Sequence, residues 1–488
     1  MKYPKKIPHW LADKEVFSFG GGAILKYDPA SGGKIAVVSS GTKKEVDRAV
    51  CLAEKSFEGW SRLPVASRAK ILKKTATLLL AKQEEIAEIV AFESGKPKKH
   101  ALGEVKAAVQ CGLFISANYD KFQQAENLIS SIPGRLVKMI RQSIGPGALI
   151  VPFNNPMASI AWKTFPALLC GNAVVLKSHE DTPYTAIWFA KVLKEAGLPA
   201  GVFSVIQGAG KKAGVPLVEN SAIKFISFTG SVAAAVSIIK ASANRLAKVA
   251  VEAGGKNPLV VCADADIDKA VAAAVSGAFV DAGQRCAAAS RLIIFDAVYE
   301  EFKKRFLKKV QALKVGVGES DDFGAIISEK RLGQILKAVS HALARGGTLL
   351  AGGQRLRGLV YKSGYFMAPT VLENISPDDE ISQTELFAPV VILYRVKNLK
   401  EALALANNSR FKLSGAIHTK SRRQAEEFIA GYRVGVVRVN GPTHGSEPHM
   451  PFGGLGLSGN GWREPGLLSF DFYSERKQIS SDGQPNLK

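Results

Sequence analysis

From Gly147 onward the chain alternates short apolar runs with helical segments, and this alternation restricts the fold more than any other feature. The runs are 148–151, 173–176, 202–206, 224–228 and 248–252, rich in Val, Ile, Leu and Phe. Strands separated by helices need right-handed crossovers, which build a parallel sheet covered on both faces. A second series follows Asn257-Pro258. Asp264-Ala265-Asp266 predicts the cap of a helix reaching Gly283, 292–295 predicts a strand, and further pairs run to Asn440. Before Gly147, residues 1 to about 45 predict irregular chain with short strands. Lys44 to about Asn118 predicts helices, and 135–143 a strand with one exposed face. The tail 470–479 alternates again, as a strand pairing with another would.

Open parallel sheets bind ligands at the carboxyl ends of their strands. Lys177, Thr229-Gly230-Ser231 and Glu252 all fall at such ends. Gly230 and Ser231 open a helix whose first N–H groups suit a pyrophosphate, and Lys177 with Glu180 adds a charge and a ribose-binding carboxylate. The run 208–214 has GxGxxxG spacing and no acidic residue about 20 positions on, so it reads as a strand–helix loop rather than a dinucleotide fingerprint.

The thiol of Gly283-Gln284-Arg285-Cys286 sits in a glycine-broken turn among polar neighbours. Arg285 beside it favours the thiolate, the nucleophilic form. A thiolate attacking a carbonyl carbon creates an oxyanion, for which the Asn154 amide and the Cys286 N–H are candidate donors. Glu252 is the candidate base for activating water. The other four cysteines, 51, 111, 170 and 262, lie in apolar contexts and predict inert buried thiols. No CxxC spacing supports a disulfide framework or a metal site.

Taken together, these pieces resemble the aldehyde dehydrogenase superfamily from about residue 30 to the C-terminus. The resemblance rests on PFNNP at 152–156, Ala161-Trp162-Lys163, Pro166-Ala167-Leu168 with Gly171-Asn172, and Val175-Leu176-Lys177 with Glu180. It continues through 226–231, EAGGKNP at 252–258, GQRC at 283–286, Glu385-Leu386-Phe387-Ala388-Pro389, and Pro451-Phe452-Gly453-Gly454 with Ser458-Gly459. The resemblance implies Cys286 as nucleophile, Glu252 as base, Asn154 as oxyanion donor, and Lys163 within the catalytic group. It implies NAD, with NADP also possible, held by Pro152, Phe153, Lys177, Glu180, Gly230, Ser231, Gly254, Glu385 and Phe387. The implied α/β architecture is a Rossmann-like doubly wound cofactor domain (1–121 and 144–254), an α/β catalytic domain (255–455) and a small β oligomerisation domain (122–143 and 470–488). An interdomain tunnel would lead to Cys286, and subunits would pair as homodimers or homotetramers.

The chain departs from the family pattern at Phe153, Asn155, Ala253, Ala388, Ala235 and Ser178-His179, none of which removes a catalytic group. Asn155 and Ala253 bear on substrate shape. Asn155, Arg285, His444 and His449 are the candidate substrate contacts, and they predict a small polar or acidic aldehyde. A carboxylate at Glu180 favours NAD, since it repels a 2′-phosphate. Glu252 favours hydrolysis over transfer of the acyl group to CoA; a non-catalytic binding protein on the same scaffold is the third alternative.

Net charge is +22, but the lysines are spread along helices such as the one carrying Lys303, Lys304, Lys308 and Lys309, without interleaved aromatics. That is the pattern of a solvated surface, not of a nucleic-acid site. No stretch approaches the roughly 20 apolar residues of a membrane span. The lysine-bearing start has no apolar run behind it, so the expectation is a cytoplasmic protein.

Overall fold

The computed structural model describes residues 3–361 and 363–482. Two seven-stranded sheets organise them. In the first, Lys248–Glu252, Phe225–Thr229, Gly147–Ile150, Val174–Lys177 and Phe203–Ile206 lie side by side in that order, all parallel. His9–Leu11 and Lys14–Val16 extend the sheet antiparallel. The chain starts in the middle at Gly147–Ile150, winds outward one way through two strands, then returns to wind the other way. The switch therefore falls between Gly147–Ile150 and Phe225–Thr229, and a crevice opens beyond their carboxyl ends. PFNNP leaves the first of these strands and Thr229-Gly230-Ser231 leaves the second, so both segments are delivered to the same crevice. Register keeps the strand ends level: Ile150 pairs with Lys177 and with Phe228, and Thr229 with Glu252.

The second sheet runs Thr348–Ala351, Thr370–Glu373, Val390–Val396, Ala289–Phe295, Asn257–Val261, Ser414–His418 and Val436–Val439. It is parallel except for its first edge strand. Each sheet has its own apolar core. One gathers residues between Ile7 and Ala253 together with Phe470, Phe472 and Tyr473; the other runs from Leu259 to Tyr432. A three-stranded antiparallel sheet, Glu126–Leu128, Arg135–Ser143 and Ser474–Asp482, belongs to neither core.

Local signals explain most boundaries. Asp266 caps Ile267–Phe279 by accepting from Lys269 N, as its sequence predicts. The tail differs from expectation at its start. Ser469–Phe472 is a helical turn and the strand begins at Ser474, because Phe470, Phe472 and Tyr473 are drawn into the first core, where two of them pack on Phe225. The last part of the expected oligomerisation segment, 483–488, and residues 1 and 2 of the expected cofactor domain lie outside the described residues. Cys111, Cys170 and Cys262 are buried as expected, whereas Cys51 is exposed on the outer face of the helix Lys43–Arg62.

Candidate active site

The helix Ile267–Phe279 is followed by three left-handed residues, Asp281 (φ 55°), Ala282 (φ 57°) and Gly283 (φ 64°). Only glycine fits the last position, since a Cβ there would lie 2.2 Å from the Ala388 carbonyl oxygen. This reversal throws Gln284, Arg285 and Cys286 back across the strand ends, and neighbouring side chains fix them there. Gln284 donates to the Ala325 carbonyl (3.1 Å) and accepts from Ile327 N (3.0 Å). Asn257 Nδ2 donates to the carbonyls of Cys286 and Ala288, and Thr443 Oγ1 to that of Ala287.

Burial pushes the Cys286 thiol up to about 12, reinforced by the carboxylates of Glu385 and Glu252. Arg285 does lower the thiol, as expected, but burial outweighs it. Its guanidinium turns to Asp281 (2.6 Å) and to His444 Nδ1 (3.1 Å), and its pull on the thiol is the weakest of those acting.

Glu252 ends its strand buried beside the Gly453-Gly454 turn. Oε2 accepts from Gly454 N (3.1 Å), while Oε1 is buried without a partner. Burial, then the like charge of Glu464, holds this carboxyl well above its ordinary range. Lys163 is also buried. Its ammonium donates to Ser227 Oγ and to Glu464 Oε2, both at 2.7 Å, and Tyr473 OH donates to the other Glu464 oxygen. Sequence reasoning missed Glu464, Ser227 and Tyr473. Glu464 stands alone before a proline and comes to Lys163 only through tertiary folding.

Asn154, 8% exposed, precedes the helix Pro156–Leu169. A small cavity lined by Phe153, Asn154, Lys96, Asp281 and Gln284 brings its loop and the cysteine loop to one place.

Several of the expected cofactor contacts lie against one another. Lys177 pairs with Glu180 (3.2 Å), whose Oε1 also accepts from Gly210 N (3.0 Å). His179, beside Glu180, meets the Phe153 ring edge-on at 5.2 Å, and Phe153 meets Phe387 at 5.7 Å. Glu385 lies under the Gly254-Gly255 turn and accepts from Gly255 N (3.1 Å), with burial pushing it up to about 7. A Cβ at Gly254 would fall 1.8 Å from that carboxylate, so only glycine lets Glu385 come so close. Ser231 caps the helix Val232–Ala243. Pro152 is half-buried at the head of its turn. A set of groups with a helix N-terminus, two ribose-type carboxylates and aromatic edges fits a dinucleotide.

The expected substrate contacts divide. Arg285 and His444 meet, and His444 Nε2 lies 3.1 Å from Ser276 Oγ. Because Arg285 only donates, His444 Nδ1 accepts and Nε2 carries the proton; burial, then Arg285, lowers this imidazole to about 4. His449 lies apart, with its ring 6.3 Å from Phe114. Asn155 faces Lys96. Arg438, which sequence reasoning also missed, carries a buried Nε without a partner and reaches the Gly445 turn beside His444.

A parallel sheet whose strand-end crevice suits a dinucleotide, joined to a second α/β unit, is the architecture of a dinucleotide-dependent oxidoreductase. The sequence profile of the aldehyde dehydrogenase family matches residues 19–479, and the chain belongs to that family. It is 35% identical over 446 residues to α-ketoglutarate semialdehyde dehydrogenase of Haloferax volcanii, covering 91% of this chain and 92% of the relative. It is 34% identical to the mitochondrial succinate-semialdehyde dehydrogenase of Oryza sativa subsp. japonica, covering 96% and 88%. Among solved structures, betaine aldehyde dehydrogenase from Staphylococcus aureus in complex with NAD+ superposes with a TM-score of 0.95 at 30% identity, covering 98% of this chain and 96% of that one. The chain is thus an NAD(P)-dependent aldehyde dehydrogenase. Among the described residues no helix is long and apolar enough to cross a membrane, and no cluster of three or more His, Cys, Asp or Glu is placed to hold a metal.

Proposed function

We propose that the chain oxidises a small acidic aldehyde to the carboxylic acid by a hydrolytic route, with Cys286 as nucleophile and Glu252 as base. The observation that carries this is Glu252, a buried carboxylate with one unpartnered oxygen and a raised proton affinity, level with the cofactor crevice. The Cys286 sulfur bonds to the aldehyde carbon and its proton passes to Glu252, overcoming the high thiol pKa. The Asn154 amide and the Cys286 N–H hold the oxyanion. Bound NAD supplies the hydride acceptor that leaves a thioester on the cysteine. Glu252 releases the thiol's proton to solvent and, ionised again, takes a proton from water; the hydroxyl bonds to the acyl carbon, the C–S bond breaks with its electron pair going to the Cys286 sulfur, and acid leaves. Lys163 and Glu464 set the charge around Glu252.

The cofactor is held by Lys177, Glu180, Gly230, Ser231 and Glu385, with Pro152, Phe153, Gly254 and Phe387 lining its site. Tethering of Glu180 by Lys177 and Gly210 supports NAD, because a carboxylate pinned at the ribose repels a 2′-phosphate.

The substrate class rests on Arg285. Its third nitrogen is left to a ligand once Asp281 and His444 have taken the other two, and Arg438 adds a second cation beside His444. By their names, two relatives act on acidic semialdehydes and the aligned structure on a cationic aldehyde. The arginines favour the acidic class. Residues 1–121 and 144–254 would carry the cofactor and 255–455 the cysteine, and strands within 122–143 and 470–482 would join subunits into a dimer or tetramer.

NADH formation is measured with paired carboxylate-bearing and trimethylammonium-bearing aldehydes, using NAD or NADP, with and without CoA. Turnover of the acidic aldehyde with NAD alone, abolished in Cys286→Ala, is expected. Turnover that requires CoA would replace hydrolysis by acyl transfer.

A further inference from the structure

Lys96 is a buried lysine to which the chemistry above gives no task, 5% exposed in the Glu93-Ser94-Gly95-Lys96 turn. An ammonium taken out of water must have its three protons matched by acceptors. All three of Lys96's acceptors lie in or beside one loop. Its Nζ donates to the Asn154 carbonyl at 2.5 Å, to Asn155 Oδ1 at 3.3 Å and to Glu104 Oε2 at 2.9 Å. The other Glu104 oxygen accepts from Met157 N (2.7 Å) and Ala158 N (3.3 Å), the free N–H groups that open the helix Pro156–Leu169. The Lys96–Glu104 pair thus grips the segment carrying Asn154 on both sides.

The same turn also fixes the cysteine loop. The Gly95 carbonyl accepts from Ala325 N (2.8 Å), and the Ala325 carbonyl accepts from the Gln284 amide. Ile327 N holds the other end of that amide, two residues before Cys286. The approach is close enough to need glycine on both sides. Gly95 has φ +70°, and a Cβ on Gly324 would lie 1.9 Å from the Gly95 carbonyl oxygen. One turn therefore sets the donor loop of the first core and the nucleophile loop of the second.

Resting on the function proposed above, we infer that Lys96 is a positioning residue: it holds the Asn154 amide at the place where the oxyanion on the Cys286 adduct forms. Lys96 does not touch substrate; it acts through Asn154.

A double-mutant cycle tests this in the full-length protein. Lys96→Met is expected to lower kcat by about 10- to 100-fold, the usual effect of a misplaced catalytic group, with KM for NAD unchanged and Cys286 alkylated by iodoacetamide at the wild-type rate. In an Asn154→Ala background the same substitution is expected to cost almost nothing more, because its target is already gone. Glu104→Gln, which removes the charge and leaves one acceptor oxygen where the carboxylate had two, so that either the Lys96 contact or the Met157 contact is lost, is read in the same cycle and carries the test if Lys96→Met does not fold. Full additivity with Asn154→Ala, or a loss that follows melting temperature alone, overturns the inference while leaving the proposed function intact. Turnover surviving in Cys286→Ala would instead overturn the proposed function.

Discussion

Glu252 shows how one side chain is prepared for two proton transfers. Burial and the Glu464 charge raise its proton affinity, and its unpartnered Oε1 leaves room for a water or a thiol proton. Hydrolysis needs the ionised carboxylate, so the rate of thioester breakdown is expected to keep climbing with pH beyond the range in which an ordinary glutamate already gives a flat profile. Glu252→Gln removes the base for both steps, so NADH should appear slowly, reach no more than about one per site and then nearly stop; steady turnover in this variant would remove Glu252 from the role. The same shift affects stability. A carboxyl whose folded pKa lies above its unfolded value stabilises the fold fully at pH below the unfolded value, and the contribution is lost as pH rises through the folded one. Glu252→Gln, which cannot ionise, should therefore melt above wild type on the alkaline side, with the gap closing as pH falls. Cys286, Glu252 and Asn154 stand out in the sequence as candidates because each sits at a backbone landmark, whether a broken helix, a strand end or a proline turn. Lys163 was legible as part of a motif, but its partner Glu464 was not, for the two are joined only by burial in the finished fold.

Between helix and cysteine, the element that matters is the left-handed run Asp281, Ala282, Gly283. Non-glycine residues in that region cost roughly 1–2 kcal/mol each, strain that packing around Gln284 and Asp281 must offset. Gly283→Ala would add the same strain and drive a Cβ to 2.2 Å from the Ala388 carbonyl. A loss of about 2–4 kcal/mol in unfolding free energy is expected, together with slower alkylation of Cys286 as its loop shifts. Unchanged alkylation with wild-type melting would show that the reversal is not needed to present the thiol. At Gly254 the close approach is to Glu385 instead, so Gly254→Ala should raise KM for NAD severalfold, by displacing that carboxylate, while the alkylation rate stays at the wild-type value. Periodicity gave the five parallel strands of the first sheet to within a residue, because buried parallel strands are short apolar runs bounded by turns, but not its antiparallel edge at His9–Leu11 and Lys14–Val16. It misread 470–473, where alternating aromatics fit either a strand or a helical turn and contact with Phe225 decides between them.

For the whole molecule, the three-stranded sheet is the part a single chain leaves unfinished. Directly opposed residues share a face, so Leu136, Ile140 and Ile479 point one way and Leu128, Val137 and Met139 the other. None of these side chains belongs to either core, and Leu128, Leu136 and Ile479 are exposed. A free-standing sheet with apolar residues on both faces gains little from burial until something covers it. In the assembly proposed above, a second copy of the chain would do so with the same strands, which is the economy of a symmetric contact. Periodicity predicted the strand 135–143 but not its lack of a core, since a sequence does not show which faces remain bare after folding. Leu136→Glu with Leu128→Glu places a charge on each face. Light scattering is expected to move from a dimer or tetramer to a smaller species, with cofactor binding per subunit retained because the crevice at the ends of Gly147–Ile150 and Phe225–Thr229 lies in the first sheet. A wild-type protein that is monomeric at micromolar concentration would refute the assembly outright. A variant that keeps its size would move the subunit contact to another surface.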